Sequence, residues 1–110
     1  MNEKGLVDDK SVIRKANKKL PDELLKGFFD ALGELEDNEA HRIRNFPKTR
    51  LHKIAGQKDI YRADIDRISG WRIHLTYGAD NRIYLCDVLE GKEHDRIRKV
   101  IKNRKDLYKK

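Results

Sequence analysis

One cysteine, two prolines and one tryptophan are spread over 110 residues. A single thiol, Cys86, excludes an internal disulfide, and its place in an apolar run points to a buried, inert side chain. No apolar run approaches the ~20 residues that a membrane-crossing helix needs. The opening stretch, MNEKGLVDDK, carries no apolar segment of signal-peptide type, so a cytoplasmic protein is expected. No grouping of His, Cys, Asp and Glu has metal-ligand spacing, and the expectation is a domain with neither metal nor cofactor. A glycine-rich phosphate loop is also missing: Gly27 and Gly33 fall inside a helical pattern, Gly70 and Gly78 in turns. There is no internal repeat and no low-complexity segment.

What the chain has in abundance is charge. Charged residues make up 41% of it and hydrophobic residues 37%, which leaves enough for one small core. The length suits a single domain over residues 1–110. With 26 basic and 19 acidic side chains the net charge is +7. That balance favours a polyanionic partner, usually nucleic acid; the plainer alternative is a solvated lysine-rich surface.

The middle of the chain, from Leu51 to Asp95, reads as three strands with two tight turns. Tyr61, Ala63 and Ile65 alternate with Arg62, Asp64 and Asp66. Trp71, Ile73, Leu75 and Tyr77 alternate with Arg72, His74 and Thr76. Each run therefore has one apolar and one polar face. Ser69-Gly70 and Gly78-Ala79-Asp80-Asn81 are the turns. The third run, Arg82 to Leu89, is apolar on both faces, with Ile83, Leu85 and Leu89 on one and Tyr84, Cys86 and Val88 on the other. That suggests an interior strand. The meander is expected to present Arg62, Arg72 and His74 on one shared polar surface.

Helical spacing flanks these strands. Residues 1–10 suit a short edge strand around Leu6-Val7 or an unstructured lead-in. Ile13, Ala16 and Leu20 mark a helix over 11–20, capped by Ser11 or Asp9. Pro21 opens a second helix to about Glu36, with Leu24, Leu25, Phe28, Phe29, Leu32 and Leu35 at three- and four-residue intervals. Residues 37–48 are hard to read beyond a turn or two of helix at 39–44. A last helix from about His94 puts Ile97, Val100, Ile101, Leu107 and Tyr108 on one face amid Arg96, Arg98, Lys99, Lys102, Arg104 and Lys105. Together these predict an α+β fold. Its centre is a small twisted, mainly antiparallel sheet, with an N-terminal helical hairpin on one face and a basic C-terminal helix.

The order of these pieces resembles the RelE/ParE toxin superfamily. The matching segments are LPDELLKGFFDALGELE, LHKIAG, IYRADI, SGWRIHLTY and RIYLCDVLEGKEHD, and the resemblance as a whole covers residues 11 to about 99. The resemblance implies a toxin held inactive by a cognate antitoxin. The RelE branch cleaves messenger RNA on the ribosome without a metal, and the ParE branch poisons DNA gyrase. It implies catalytic roles for Arg62, Arg72, Lys92 and His94. RNA contacts are assigned to Lys53, His74, Arg96, Arg98 and Lys99. Two departures stand out. Asp64 occupies the place of a lysine found in some of the ribonucleases. The tyrosine often found after the last basic segment has no counterpart at Ile97, Arg98 or Lys99, and Tyr108 lies too far along to replace it.

These residue types suit RNA cleavage. It requires a base for the 2′-hydroxyl proton, cations for the phosphate and an acid for the leaving 5′-oxygen. Guanidiniums hold phosphate in a bidentate manner. Imidazoles exchange protons near neutral pH, which points to His94 and, less directly, His74. Lys53 and Lys92 are the lysines placed to act as base. The structural alternative pairs Arg62 and Arg72 with Asp64 or Asp66. His41 and His52 carry no motif. The non-enzymatic alternative is a gyrase poison, or a degenerate family member that only binds its antitoxin or nucleic acid.

Overall fold

Alternating side chains in the middle of the chain build three antiparallel strands, and two short flanking segments widen the sheet to five. In the computed structural model residues 5–57, 59–91 and 97–108 are described, with the backbone alone at 97 and 98. The elements are β1 (Leu6–Val7), α1 (Val12–Lys19), α2 (Asp22–Glu36), α3 (Asn38–Ile43), β2 (His52–Lys53), β3 (Tyr61–Asp64), β4 (Arg72–Tyr77), β5 (Ile83–Leu89) and α4 (Ile97–Asn103). A 3-10 turn over Lys105–Tyr108 follows α4. The sheet order is β1-β5-β4-β3-β2. The short β1 lies parallel to β5 and the other pairs are antiparallel. The α+β class and the meander are as expected, and Leu6-Val7 is the anticipated edge strand. The strand at His52-Lys53 was not foreseen.

One sheet face is oily because the apolar half of each alternation points to the helices. Ala63, Ile73, Leu75, Leu85 and Val88 are fully or almost fully buried against Val12 and Ala16 of α1 and Phe28, Ala31 and Leu35 of α2. Trp71 and Ile65 belong to the same core. At ~25 cal/mol per Å² of apolar surface removed from water, that packing is the main stabilising term.

Two local details differ from expectation. The facing assigned to the third strand changes partway along it. His74 pairs with Asp87 but Leu75 pairs with Leu85, so Cys86 is an extra residue in a β-bulge. A bulge shifts the two-residue alternation by one position. Val88 therefore joins Ile83 and Leu85 in the core, while Leu89 moves to the opposite face, across from Arg72. The cap of α1 also differs. Ser11 sits in the left-handed region (φ 58°) and makes no side-chain cap, nor does Asp9. Instead the carboxylate of Asp8 accepts from the amides of Val12 (2.6 Å) and Ile13 (3.0 Å), satisfying donors that the first helical turn leaves open.

The segment after α3, illegible in the sequence, is tied down by one side chain. The Glu34 carboxylate on α2 accepts from the amides of Lys48 and Thr49 and from the Thr49 hydroxyl (2.6 Å). Thr49 is fully buried, and its carbonyl accepts from the Asp64 amide at 2.7 Å. This anchor places Arg50 beside β3.

Candidate functional site

The face of the sheet turned away from the α1–α2 hairpin carries the chemistry. Residues directly opposed across antiparallel strands share a face. The pairs His52–Arg62, Arg62–His74, Asp64–Arg72 and His74–Asp87 therefore place these six side chains in one continuous field. Toward the β2 edge this field opens into a cleft of about 270 Å³ lined by His52, Lys53, Ile54, Ala55, Arg62, Arg72 and His74. Toward β5 it is covered by Arg104 and the 3-10 turn that ends in Tyr108.

Asp64 is the hub of the cations. One carboxylate oxygen accepts from Arg50 Nε (3.0 Å) and Nη2 (2.8 Å); the other accepts from Arg62 Nε at 3.1 Å. Arg62 is thus oriented by an acid two residues along its own strand face. The other acid considered for this role, Asp66, instead accepts from the amide and hydroxyl of Ser69. Those bonds, with the hydroxyl first, hold its carboxyl below the usual range.

Arg72 lies deeper than a surface strand residue. It is 7% exposed, and its Nε donates to the carbonyl of Gly70 at 2.9 Å. Burial, and then the nearby Arg62 charge, lower its guanidinium pKa, against the opposing pull of Asp64. Gly70 is required here twice over. Its φ is +79°, and a Cβ would sit 2.6 Å from the Gly91 backbone and 3.3 Å from Arg72 Nη2. The Ser-Gly-Trp-Arg stretch is therefore a device that buries Trp71 on one face and fixes Arg72 on the other.

His74 is not the solvated strand residue of the expected polar surface. It is fully buried and forms the cleft floor. Its Nδ1 lies 2.7 Å from the Tyr108 hydroxyl. Tyr108, set aside on sequence distance, reaches the site because the 3-10 turn after α4 folds back over β4 and β5. Burial depresses the His74 pKa to about 3, with Arg72, Arg62 and Arg104 adding to the effect against Asp87. The imidazole is neutral at physiological pH and is not the proton-exchanging group. Its Nε2 has no hydrogen-bond partner among the described residues, a position that a ligand atom in the cleft can fill.

His52, which carries no sequence motif, stands at the cleft wall. Its Nδ1 is 2.7 Å from the Arg50 carbonyl. A carbonyl only accepts, so Nδ1 carries a proton, and in the neutral ring Nε2 is the acceptor. No local periodicity marks this residue; only its pairing with Arg62 brings it into the site.

Of the other anticipated residues, Lys53 is exposed and lines the cleft. Lys99 is exposed on α4 and is not among those lining residues. Lys92, His94 and Arg96, and the side chain of Arg98, lie outside the described residues. Among the described residues no group of three His, Cys, Asp or Glu side chains is arranged to hold a metal ion, and no helix is long and apolar enough to cross a membrane. Comparison with protein-family models, curated proteins and solved structures yields no match.

Proposed function

We propose that the chain is a cytoplasmic, metal-free endoribonuclease of RelE-like type, a toxin that cleaves messenger RNA on the ribosome and is neutralised by an antitoxin protein. The observation that carries this reading is the cleft that Lys53, Arg62 and Arg72 line together with an imidazole, His52, whose Nε2 is the acceptor of the neutral ring. A phosphodiester there has its non-bridging oxygens among guanidiniums. His52 takes the proton of the 2′-hydroxyl, and the 2′-oxygen forms a bond to phosphorus. The bond from phosphorus to the 5′-oxygen breaks, and a cleft ammonium, Lys53, returns a proton to that oxygen. The products are a 2′,3′-cyclic phosphate and a 5′-hydroxyl. Arg62 and Arg72 stabilise the charge that grows on phosphorus-bound oxygen in between. Neutral His74 contributes a hydrogen bond from the floor, not a proton.

The test is cleavage of ribosome-bound messenger RNA by purified protein, paired with growth arrest on induction. His52→Gln and Arg62→Gln are each expected to lower the cleavage rate by roughly a hundredfold with the melting transition retained. A second reading, a toxin or regulator that binds without cleaving, is favoured by one feature: Asp64 already engages Arg50 and Arg62. Growth arrest that survives both substitutions with messenger RNA intact selects that reading.

A further inference from the structure

A second cationic surface lies on α1, remote from the cleft. Ser11, Arg14, Lys15, Lys18 and Lys19 line a groove of about 330 Å³. From Lys10 to Leu20 there is no acidic side chain. Arg14–Lys18 and Lys15–Lys19 stand at the four-residue spacing, where like charges destabilise a helix by a few tenths of a kcal/mol. The acids nearby are already engaged: Asp8 by the helix amides, Asp9 by Lys10, and Asp87 by Lys15 and Arg104. Arg14, Lys18 and Lys19 are exposed and make no ion pair among the described residues. Lys18 and Lys19 gain something from the C-terminal end of the helix dipole. Arg14, in the first turn, faces the unfavourable end. The fold therefore bears a small electrostatic cost for this groove.

The groove is connected to the rest of the basic surface. Lys15 and Arg104 bind the two oxygens of one buried carboxylate, Asp87, so α1 and the residue that follows α4 are joined through β5. Lys99, Lys102 and Lys105 on the C-terminal segment are exposed and unpaired among the described residues. That segment ends at Tyr108, which touches the cleft floor.

We infer that the α1 groove is a phosphate-backbone contact site for RNA, and that it forms, with the exposed lysines of α4 and the following turn, a band leading to the cleft. The contact is sequence-independent. It goes beyond the cleft chemistry and does not rest on it, since a chain that cleaves nothing would still hold RNA here. Acidic protein is the competing partner class. RNA is favoured because the cations are spread along a band and the groove has no apolar lining side chain, whereas a protein interface buries an apolar centre.

The test uses the full chain and a short fluorescein-labelled RNA that is fully 2′-O-methylated and so cannot be cleaved. Binding is titrated over a range of salt concentrations. The triple variant Arg14→Gln, Lys18→Gln, Lys19→Gln leaves the Lys15–Asp87 pair intact and keeps good helix formers. It is expected to weaken binding roughly tenfold and to reduce the slope of log K against log salt by about 2, near 0.7 for each phosphate that is no longer neutralised. The charge-preserving variant Arg14→Lys, Lys18→Arg, Lys19→Arg is expected to bind as the parent does. An unchanged affinity and slope in the glutamine variant, with its melting transition retained, overturns the inference. So does displacement of the RNA by polyglutamate as effective as that by unlabelled RNA. Loss of cleavage in a cleft variant with RNA binding unchanged bears on the proposed function alone.

Discussion

His74 is walled off from solvent with Arg72, Arg62 and Arg104 around it, which is why its pKa falls to about 3. In the unfolded chain the same imidazole titrates near 6.5. Between those values the unfolded state binds a proton that the folded state does not. Stability is therefore fully present above about pH 6.5 and is lost as the pH falls toward 3, by up to ~1.4 kcal/mol per pH unit. Urea titrations at pH 7.5 and pH 5 are expected to differ by about 2 kcal/mol from this group. A His74→Gln chain should lose that part of the slope, and equal slopes would place the imidazole in water. The same buried ring makes Tyr108 more than a tail residue. Tyr108→Phe leaves His74 Nδ1 without its 2.7 Å partner, and is expected to cost about 1–2 kcal/mol.

At the scale of elements, the start of α1 shows how a cap can come from outside the obvious position. Asp8 supplies both carboxylate oxygens to the helix amides, while Ser11 holds a left-handed backbone with no cap bond. Asp8→Ala is expected to cost about 1 kcal/mol. Ser11→Gly is expected to be neutral or to stabilise by up to about 1 kcal/mol, because glycine adopts positive φ without penalty. Thermal melting of the two variants separates the roles; a loss on replacing Ser11 equal to that of Asp8 would contradict the assignment. The bulge at Cys86 has the larger consequence. It lets one strand serve the core with Leu85 and Val88 while turning Asp87 to the other face.

At the scale of the molecule, Asp87 is the point where the two ends of the chain are tied. It is fully buried, holds Lys15 and Arg104, and accepts from the Val88 amide at 2.9 Å. Because β1 pairs only with Ile83 and Tyr84, the rest of β5 is an open edge past which Lys15 can reach. Removing the carboxylate takes this partner from both Lys15 and Arg104. Asp87→Asn is expected to cost on the order of 2–3 kcal/mol, less than for a wholly buried pair because Lys15 and Arg104 keep some solvent. Amide hydrogen exchange should rise together in α1 and in 97–108. Faster exchange in α1 alone would show that the C-terminal segment is held elsewhere.

Periodicity alone was enough for the α+β class, the α1–α2 hairpin, the three-strand meander and the apolar faces that carry Phe28, Trp71, Ile73 and Leu75. Those features follow from which side chains repel water at intervals of two or of three to four residues, and such intervals are local. It was also enough to put Arg62, Arg72 and His74 on one face, since alternation depends only on neighbours in the chain. It could not say that this face is half covered. The burial of His74, the arrival of Tyr108 from 34 positions away and the recruitment of His52 through a two-residue strand all depend on contacts between distant segments. No local pattern encodes them. The reversal of Leu89 and Val88 has the same origin. An extra residue in one strand is invisible until its partner strand is laid beside it, because a bulge is a mismatch between two strands and not a property of either.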